Sequence, residues 1–367
     1  MSTAQQAPTY PALVQALADR GLLDARWRQV FEAVPRSRFV PADIWRQSPD
    51  RCEPVVGADA WLALVNSDEP VVTQIDDGAE HGPGVATSSS SMPSMVARML
   101  GLLGVEDGQR VMEIGTGTGY VAALLSERLG DDRVHSVEVD PALARRAAEA
   151  LARAGYRPHL RVGDGEQPWP GLAPVDRLIA TCALRHVPYA LLRQVRPGGI
   201  VVAPLARAFW SGALVRLHVQ GDATATGTFC GGASYMPMRS HRAADLHEVR
   251  GKGRARAAGL DPARLLTLGF ALYAGARLPG VRLVHQATGA GARVWATRED
   301  GAAATTASGE EVWQYGPGLL WEEIEQVWQE YERLGRPDAD QFGLTVTDRG
   351  QRVWLRDQGA PIGPTRP

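Results

Sequence analysis

The chain has 367 residues, of which 44% are hydrophobic and 22% are charged, and its formal net charge is -2. This length and hydrophobic fraction suffice for one large domain and a smaller one, and the near-neutral charge excludes the strongly basic surface typical of nucleic-acid-binding proteins. The three cysteines, Cys52, Cys182 and Cys230, lack any Cys-x-x-Cys or Cys/His spacing, which argues against a metal site and a disulfide framework.

The first 92 residues predict a short helical segment followed by irregular loops. Apolar residues at helical spacing extend from Leu13 to Val34 and stop at Pro35. From about residue 50 to residue 92, Gly, Pro, Asp and Ser dominate, and long loops of this kind tend to carry function. Met1–Pro11 lacks a signal-peptide pattern, and no run of about 18 apolar residues follows, so we expect a cytoplasmic protein without a membrane span.

Residues 93–220 predict a parallel α/β sheet, because strand-like apolar runs alternate there with helical patterns. We predict helices at 93–103, 119–129, 141–154 and 188–194, and strands at 109–114, 133–138, 159–162, 175–180, 199–204 and 212–219. The fold class is therefore α/β, with a doubly wound Rossmann-like sheet.

Beyond residue 220 the pattern changes to that of an α+β appendage. A strand candidate at Ala292–Thr297 is followed by an amphipathic helix at 319–334 with a core-facing apolar stripe. Residues 342–347 and 351–356, joined by the turn 348–350, predict a β-hairpin. The chain is thus divided into an N-terminal helical segment with a substrate loop (1–92), a sheet domain (93–220) and an appendage (221–367).

The strongest chemical signal is the segment Val111–Tyr120, VMEIGTGTGY, in which a buried strand breaks into a glycine-rich turn before a helix. Glycines at such a turn let a ligand approach the backbone closely. The motif alone also fits a dinucleotide site or a purely structural turn.

Acidic residues end the next two predicted strands. Glu138 suits the two hydroxyls of a ribose, and Asp164, within Gly163–Gly165, suits an adenine amino group. Carboxylates at strand ends also cap helices, and Asp140 before Pro141 is expected to do so. Three sites at successive strand ends predict a nucleotide-containing ligand at one edge of the sheet.

The glycine spacing favours S-adenosylmethionine over NAD. NAD sites usually present Gly-x-Gly-x-x-Gly to a pyrophosphate, whereas S-adenosylmethionine has no phosphate and carries a cationic sulfonium, which Glu113 would complement. The predicted cofactor-binding residues are Glu113, Gly115, Thr116, Gly117, Tyr120, Glu138, Asp164, Gly165 and Thr181.

Several segments, in the right order over about residues 25–220, resemble protein-L-isoaspartate O-methyltransferases. The similar segments are Trp27–Pro41, Ser91–Met99, Glu113–Tyr120, Gly163–Gly165 and Arg196–Gly199. The resemblance implies a class I S-adenosylmethionine-dependent methyltransferase that esterifies a carboxylate in a polypeptide and releases S-adenosylhomocysteine.

Two departures from the family pattern suggest a more specialised substrate. The repair enzymes usually carry Thr-Ile-Ser-Gln-Pro where this chain has Ser89–Pro93, and Ala-Ala-Pro where it has Ala180–Tyr189. Together with the appendage, these changes resemble the methyltransferases of ribosomal-peptide maturation, of the lanthipeptide and graspetide types. That resemblance implies methylation of an aspartate in a modified, often macrocyclic precursor peptide, followed by succinimide and then isoaspartate formation, with the appendage as a peptide-substrate domain.

Two alternatives stay open from the sequence. One is a repair methyltransferase that acts on isoaspartyl residues in damaged proteins, which would gain little from an added domain. The other is a non-catalytic module that keeps the fold only as a scaffold; loss of Glu113, Glu138 and Asp164 would mark it, and all three are present.

Methyl transfer to a carboxylate makes a light catalytic demand. The acceptor is already ionised at pH 7, so the enzyme needs no strong general base and has only to align and desolvate the oxygen. Ser91 matches the substrate-contacting serine of the family motif, and Ser89 and Ser90 are further catalytic candidates, although a serine-rich segment also fits a solvated loop or a helix N-cap. The expected partner is a peptide or protein bearing aspartate, with no nucleic acid, membrane or metal.

Overall fold

The computed structural model describes residues 9–48, 51–242, 253–289 and 291–366. The chain forms two compact units. The first consists of Met1–Cys182, Arg193–Val202 and Met238–Ser240, and the second of Ala183–Leu192, Ala203–Pro237 and His241–Pro367. Within the described residues, no helix has both the length and the apolar character needed to cross a lipid bilayer.

The first unit begins with three helices and a four-stranded antiparallel sheet. The helices are α1 (Tyr10–Asp19), α2 (Ala25–Ala33) and α3 (Ala58–Val65), and the strands are β1 (Trp45–Gln47), β2 (Cys52–Pro54), β3 (Val71–Ile75) and β4 (Ala86–Ser90), in the order β2-β1-β3-β4. The expectation of irregular loops over 50–92 was wrong. The strand β4, Ala-Thr-Ser-Ser-Ser, has no apolar alternation, and it forms because its backbone pairs with the buried strand β3.

A parallel sheet follows in the same unit and confirms the doubly wound α/β prediction. Its strands are β5 (Val111–Ile114), β6 (Val134–Glu138), β7 (His159–Val162), β8 (Val175–Ala180) and the first part of β9 (Val195–Arg207), in the order β9-β8-β5-β6-β7. Helix α4 (Pro93–Leu103) precedes β5, and the helices α5 (Tyr120–Leu129) and α6 (Pro141–Ala154) connect β5 to β6 and β6 to β7. Strands β5 and β6 are buried throughout, as expected for parallel strands covered on both faces.

Helix α6 shows how local sequence fixes an element of this sheet. The Asp140 carboxylate accepts hydrogen bonds from the backbone N–H groups of Ala142 (2.8 Å) and Leu143 (3.1 Å), which confirms the predicted N-cap. The helix ends at Gly155, which adopts the left-handed conformation that favours glycine.

The second unit contains the predicted C-terminal elements. Its helices are α7 (Tyr189–Leu192), α8 (Leu268–Arg277) and α9 (Leu320–Arg333), and besides the end of β9 its strands are β10 (Trp210–Val219), β11 (Ala225–Gly232), β12 (Arg254–Arg256), β13 (Arg282–Thr288), β14 (Gly291–Thr297), β15 (Ala303–Ala307), β16 (Val312–Tyr315), β17 (Phe342–Thr347), β18 (Gly350–Leu355) and β19 (Pro361–Arg366). The predicted strand at 292–297, the helix at 319–334 and the hairpin at 342–356 are confirmed to within a residue or two.

Two antiparallel arrangements make up this unit. One runs β19-β18-β17-β11-β10 and continues to the end of β9, and the other runs β12-β16-β15-β14-β13. The three-part domain division stays a prediction. Its boundary at residue 220 falls between two paired strands, because Val219 of β10 is opposite Ala225 of β11.

A buried tyrosine joins three helices of the first unit. Tyr10 Oη lies 2.8 Å from the carbonyl oxygen of Phe31, 2.9 Å from that of Val34 and 3.1 Å from Tyr120 Oη. It thereby connects α1 with the end of α2 and with the first residue of α5. Burial raises the pKa of Tyr120 to about 12, so this phenol stays protonated and remains a donor at neutral pH.

We expect Tyr10→Phe to lower the free energy of unfolding by about 1–3 kcal/mol, because buried carbonyl oxygens lose their donor. Urea denaturation measures the change. Tyr156→Phe is the matched control, since its hydroxyl donates to Glu127 at an exposed site, and it should cost less than about 0.5 kcal/mol. An equal loss in the two variants would contradict the role assigned to Tyr10.

Candidate active site

The turn between β5 and α5 needs glycine at position 117 for its backbone conformation, and it is in contact with the serine segment. Gly117 has φ +54°, in the left-handed region that other residues rarely adopt. A Cβ on Gly117 would also lie 3.6 Å from the carbonyl oxygen of Ser89. The turn therefore lies directly beside the serine segment, Thr87–Ser91.

Hydrogen bonds bring the tips of three strands together. The backbone N–H of Gly117 donates to Glu138 Oε2 at 2.8 Å, which links the glycine turn after β5 to the end of β6. The N–H of Gly163 donates to the carbonyl oxygen of Glu138 at 2.9 Å, which links the end of β6 to the end of β7. The structure thus brings Gly117, Glu138 and the segment containing Asp164 to one edge of the sheet.

Glu138 is 6% exposed, and both of its carboxylate oxygens accept backbone hydrogen bonds. Besides the bond from Gly117, Oε1 accepts the N–H of Asp140 at 3.1 Å. Burial raises the pKa of Glu138. Because each carboxylate oxygen has a second acceptor site, the group retains the capacity to bind two hydroxyls.

Asp164 and Gly165 lie against the end of β5 and a distant segment of the chain. Asp164 Oδ1 accepts the N–H of Glu166 at 3.0 Å and lies 3.4 Å from the donor Ser240 Oγ. A Cβ on Gly165 would lie 2.4 Å from Ile114 Cγ2 and 3.3 Å from Met238 Cε, so only glycine fits without displacement. The sequence did not indicate Met238 and Ser240, because no motif near them shows that the chain comes back to this edge of the sheet.

Glu113 is fully buried and forms one end of a polar chain. Ser136 Oγ donates to Glu113 Oε2 at 2.6 Å, and Thr116 Oγ1 lies 2.6 Å from Ser136 Oγ. Burial raises the pKa of Glu113 to about 8. Its Oε1 atom is buried and has no hydrogen-bond partner among the described residues.

Thr181 and Tyr120 both support the glycine turn from positions inside the unit. Thr181 Oγ1 donates to the carbonyl oxygen of Gly115 at 2.6 Å and so braces the first residue of the turn. Tyr120 packs edge-on against Phe31, with ring centroids 6.3 Å apart, and its hydroxyl is engaged by Tyr10. The Tyr120 side chain therefore packs inside the unit, and only the backbone of this residue adjoins the glycine turn.

The serine segment is a strand end rather than a helix cap. In β4 the side chains of Ser88 and Ser90 are buried, whereas Ser89 and Ser91 are partly exposed. The alternative that Ser91 caps α4 was wrong: the N-cap position belongs to Met92, which makes no side-chain cap bond, and Asp68 accepts the N–H of Ser94 at 2.8 Å instead.

Arg36 is the site residue that sequence reasoning left without a role. It is 0% exposed, its Nη2 donates to the carbonyl oxygens of Ser90 (2.7 Å) and Ser91 (3.1 Å), and its Nε donates to Ser90 Oγ at 3.0 Å. The sequence showed it only as one residue of the family-like segment 27–41. Ser90 and Ser91 lie more than 50 residues away along the chain, so no local pattern marks the contact.

Two arginines of the segment 239–256 form ion pairs with acidic residues of their own units. Arg239 Nη2 lies 3.0 Å from Asp77 Oδ1 and 3.2 Å from Asp140 Oδ2, within the first unit. Arg256, in the second unit, pairs with Glu322 and Glu325 at 2.8 and 2.6 Å. Arg250, which belongs to the same stretch, lies outside the described residues.

Arg185 and His186, in the segment after β8, both contact His241. In the second unit the backbone N–H of Arg185 donates to His241 Nδ1 at 2.9 Å, and the rings of His186 and His241 lie 4.5 Å apart. In the first unit, burial raises the pKa of Cys182 to about 12, so its thiol stays protonated and is not a nucleophile.

The titration of Glu113 makes the stability of the protein fall with rising pH. In the folded protein the pKa of Glu113 is about 8, so the carboxyl group is protonated below that pH. In the unfolded chain its pKa is near 4.5. Stability from this group is therefore present below pH 4.5 and is lost as pH rises through 8. We expect Glu113→Gln to gain stability relative to the unsubstituted protein between pH 5 and pH 9, as measured by urea denaturation without ligand. A stability difference that is constant across this range would contradict the raised pKa.

The family model and the sequence relatives that match this chain belong to the same family. The family model described as "Protein-L-isoaspartate(D-aspartate) O-methyltransferase (PCMT)" matches residues 9–243. Protein-L-isoaspartate O-methyltransferase 1 of Nitrosospira multiformis is 39% identical over 213 residues, which cover 57% of this chain and 76% of that protein. Protein-L-isoaspartate O-methyltransferase 2 of an Anaeromyxobacter species is 35% identical over 191 residues, which cover 52% of this chain and 66% of that protein, so the match spans about two thirds of its length.

A solved structure described as a protein-L-isoaspartate O-methyltransferase aligns with 94% of this chain and 99% of its own, with a TM-score of 0.56 and 20% identity. At this identity the likeness shows the fold alone. Because the alignment covers so much of the chain, it includes most of the residues beyond 243, where the family match ends. The C-terminal appendage therefore has a structural counterpart in a protein with that description.

Proposed function

This chain belongs to the protein-L-isoaspartate(D-aspartate) O-methyltransferase family of S-adenosylmethionine-dependent protein carboxyl O-methyltransferases, and we propose that it methylates an isoaspartyl carboxylate in proteins or peptides. The observation that carries this proposal is the convergence of three strand tips through Glu138, which accepts the N–H of Gly117 at 2.8 Å and that of Gly163 at 2.9 Å. This arrangement suits one adenosyl ligand at the carboxyl edge of a parallel sheet.

The residues at this edge fit S-adenosylmethionine by charge and shape. Glu138 would hold the ribose hydroxyls, and Asp164 would accept from the adenine amino group. Gly165 packs so closely against Ile114 that a Cβ would clash, which keeps this backbone close to the end of β5. Glu113, whose buried Oε1 lacks a partner among the described residues, would lose its proton when the cationic part of the ligand binds nearby and would then supply the opposite charge.

The role of the protein in the reaction is to position the acceptor carboxylate and to exclude water from it. S-adenosylmethionine supplies the methyl group, which a carboxylate oxygen accepts as the carbon–sulfur bond breaks and its electron pair stays on sulfur. The acceptor is ionised at neutral pH, so no residue need remove a proton. Ser91 would donate to the oxygen that does not attack, with Ser89 and Ser90 shaping the same strand end beside Gly117.

The comparisons favour the isoaspartyl repair substrate over an aspartate in a modified ribosomal peptide. Relatives at 35–39% identity are named protein-L-isoaspartate O-methyltransferases. The appendage does not separate the two substrates, because a structure with that description also aligns over most of it. The lanthipeptide or graspetide precursor remains a second candidate on one observation, the departures from the family pattern at Ser89–Pro93 and Ala180–Tyr189. A peptide-binding role for the appendage and a cytoplasmic location also remain proposals.

The substrate proposal predicts a preference that labelled S-adenosylmethionine can measure. We expect methyl transfer to a short linear isoaspartyl peptide to exceed transfer to its aspartyl counterpart by at least about tenfold in kcat/KM. Transfer to an aspartate in a macrocyclic precursor peptide, without transfer to the linear isoaspartyl peptide, would support the second candidate instead. Absence of transfer to any of these peptides would contradict a methyltransferase function and favour a non-catalytic module.

The ribose role of Glu138 predicts a defined loss of cofactor affinity. We expect Glu138→Ala to weaken S-adenosylhomocysteine binding by about 10- to 100-fold, since hydrogen bonds to a charged acceptor contribute about 1.5–3 kcal/mol. Calorimetric titration measures this loss. Glu149→Ala, on the exposed side of α6, is the charge-matched control and should leave the affinity unchanged. A Glu138→Ala variant that binds as tightly as the control would exclude the assigned role.

A further inference from the structure

Arg36 is a fully buried guanidinium without an ion-pair partner. It lies in a short 3-10 turn, Arg36–Arg38, that follows α2. Among the described residues, no carboxylate oxygen approaches it within the 4.0 Å of an ion pair, and all of its hydrogen bonds go to neutral oxygens. Burying an arginine in this way is costly, and buried charges are ordinarily paired.

The nearest acidic residues are already engaged elsewhere. Asp68 and Glu69 raise the pKa of Arg36 only from a distance. Asp68 pairs with Arg20 at 2.8 Å, and Glu69 lies 3.7 Å from Arg46. Burial lowers the pKa of Arg36 to about 10, so the side chain keeps its charge at neutral pH without a local counter-charge.

The hydrogen bonds of Arg36 converge on one short stretch of backbone. Its shortest bonds reach the carbonyl oxygens of Ser90 and Ser91, and longer contacts of 3.4 Å reach those of Val65 and Ser67. Because the guanidinium is planar and its donors are fixed relative to one another, it sets the direction of both serine carbonyls. The peptide planes on either side of Ser91 are therefore held, while its side chain remains partly exposed.

Groups of opposite charge lie near the serine segment in the first unit. The cofactor edge carries Glu113, Glu138 and Asp164, which suits a cationic sulfonium. The backbone of Ser90 and Ser91 contacts the positive charge of Arg36, which suits an anion. An anionic acceptor at Ser91 would thus lie near a buried positive charge that water screens only weakly.

We propose that Arg36 is a positioning residue for the acceptor carboxylate: it fixes the Ser90–Ser91 backbone and places a positive charge behind the site where an anionic substrate binds. This inference rests on the proposed function, which places the carboxylate at Ser91. Arg36 acts through the two serines and not by contact with the reacting atoms. It therefore governs recognition of the anionic acceptor and not the affinity for the cofactor.

The test uses the full-length protein and the variants Arg36→Lys and Arg36→Met. Arg36→Lys keeps the charge but loses the planar set of donors, so we expect KM for an isoaspartyl peptide to rise about tenfold while S-adenosylhomocysteine affinity stays within about twofold. Arg46→Lys, at an exposed ion pair with Glu69, is the matched control, and its KM should change by no more than about twofold. Val30→Ala loosens the core of α2 without removing a hydrogen-bonding group and controls for general destabilisation.

A charge readout separates positioning from structural support. With S-adenosylhomocysteine bound, the unsubstituted protein should bind an isoaspartyl peptide at least about tenfold more tightly than the same peptide with that carboxylate replaced by a carboxamide. Arg36→Met should lose this preference, and Arg36→Lys should keep part of it. Melting temperatures, measured alongside, report how far each variant is destabilised.

The outcomes distinguish the inference from the function on which it rests. Equal binding of the two peptides by the unsubstituted protein overturns the inference even if no Arg36 variant folds. So does a preference that survives in Arg36→Met, or a parallel loss of peptide and S-adenosylhomocysteine binding that Val30→Ala reproduces. An active protein whose Arg36→Lys variant has an unchanged KM overturns the inference alone. A protein that binds S-adenosylhomocysteine but methylates no isoaspartyl peptide contradicts the proposed function, and the inference with it.

Discussion

The hydrogen bonds around Glu138 are the constraint on which the rest of the site depends. Its side chain holds the glycine turn through Gly117, and its carbonyl oxygen holds the next strand tip through Gly163. Because these bonds lie in a nearly dry environment, each is costly to lose. The same carboxylate that would bind a ribose thus also shapes the pocket around it. A substitution at Glu138 would therefore release the glycine turn as well as remove a ligand contact, whereas the backbone bond to Gly163 would remain.

The arrangement of charge follows the chemistry of the two ligands. Acidic groups gather at the strand tips, where a cationic sulfonium would lie, and the buried Arg36 supports the serine segment, where an anionic carboxylate would lie. The two regions meet at Gly117, where a Cβ would lie 3.6 Å from the carbonyl oxygen of Ser89. Neither side of the site needs a strong base or a nucleophile, and the raised pKa of Cys182 agrees with that. Catalysis on this account consists of alignment and exclusion of water.

The sequence predicted those parts of the fold that local patterns specify. Apolar strand-like segments that alternate with helical patterns located β5, β6 and β8, and the Asp-Pro pair at 140–141 located the start of α6. The strand β4 escaped prediction because its serines carry no apolar period and depend on pairing with β3. Arg36 and the Met238–Ser240 return escaped for a related reason: their partners are distant in sequence, so only the folded chain brings them together.

The most direct measurement of the central claim is a crystal structure of the protein with S-adenosylhomocysteine. The account predicts one bound molecule whose ribose hydroxyls contact Glu138, whose adenine lies beside Asp164 and Gly165, and whose sulfur points toward the serine segment near Gly117. A molecule bound away from this edge, or one that engages only one of the three strand tips, would contradict the account.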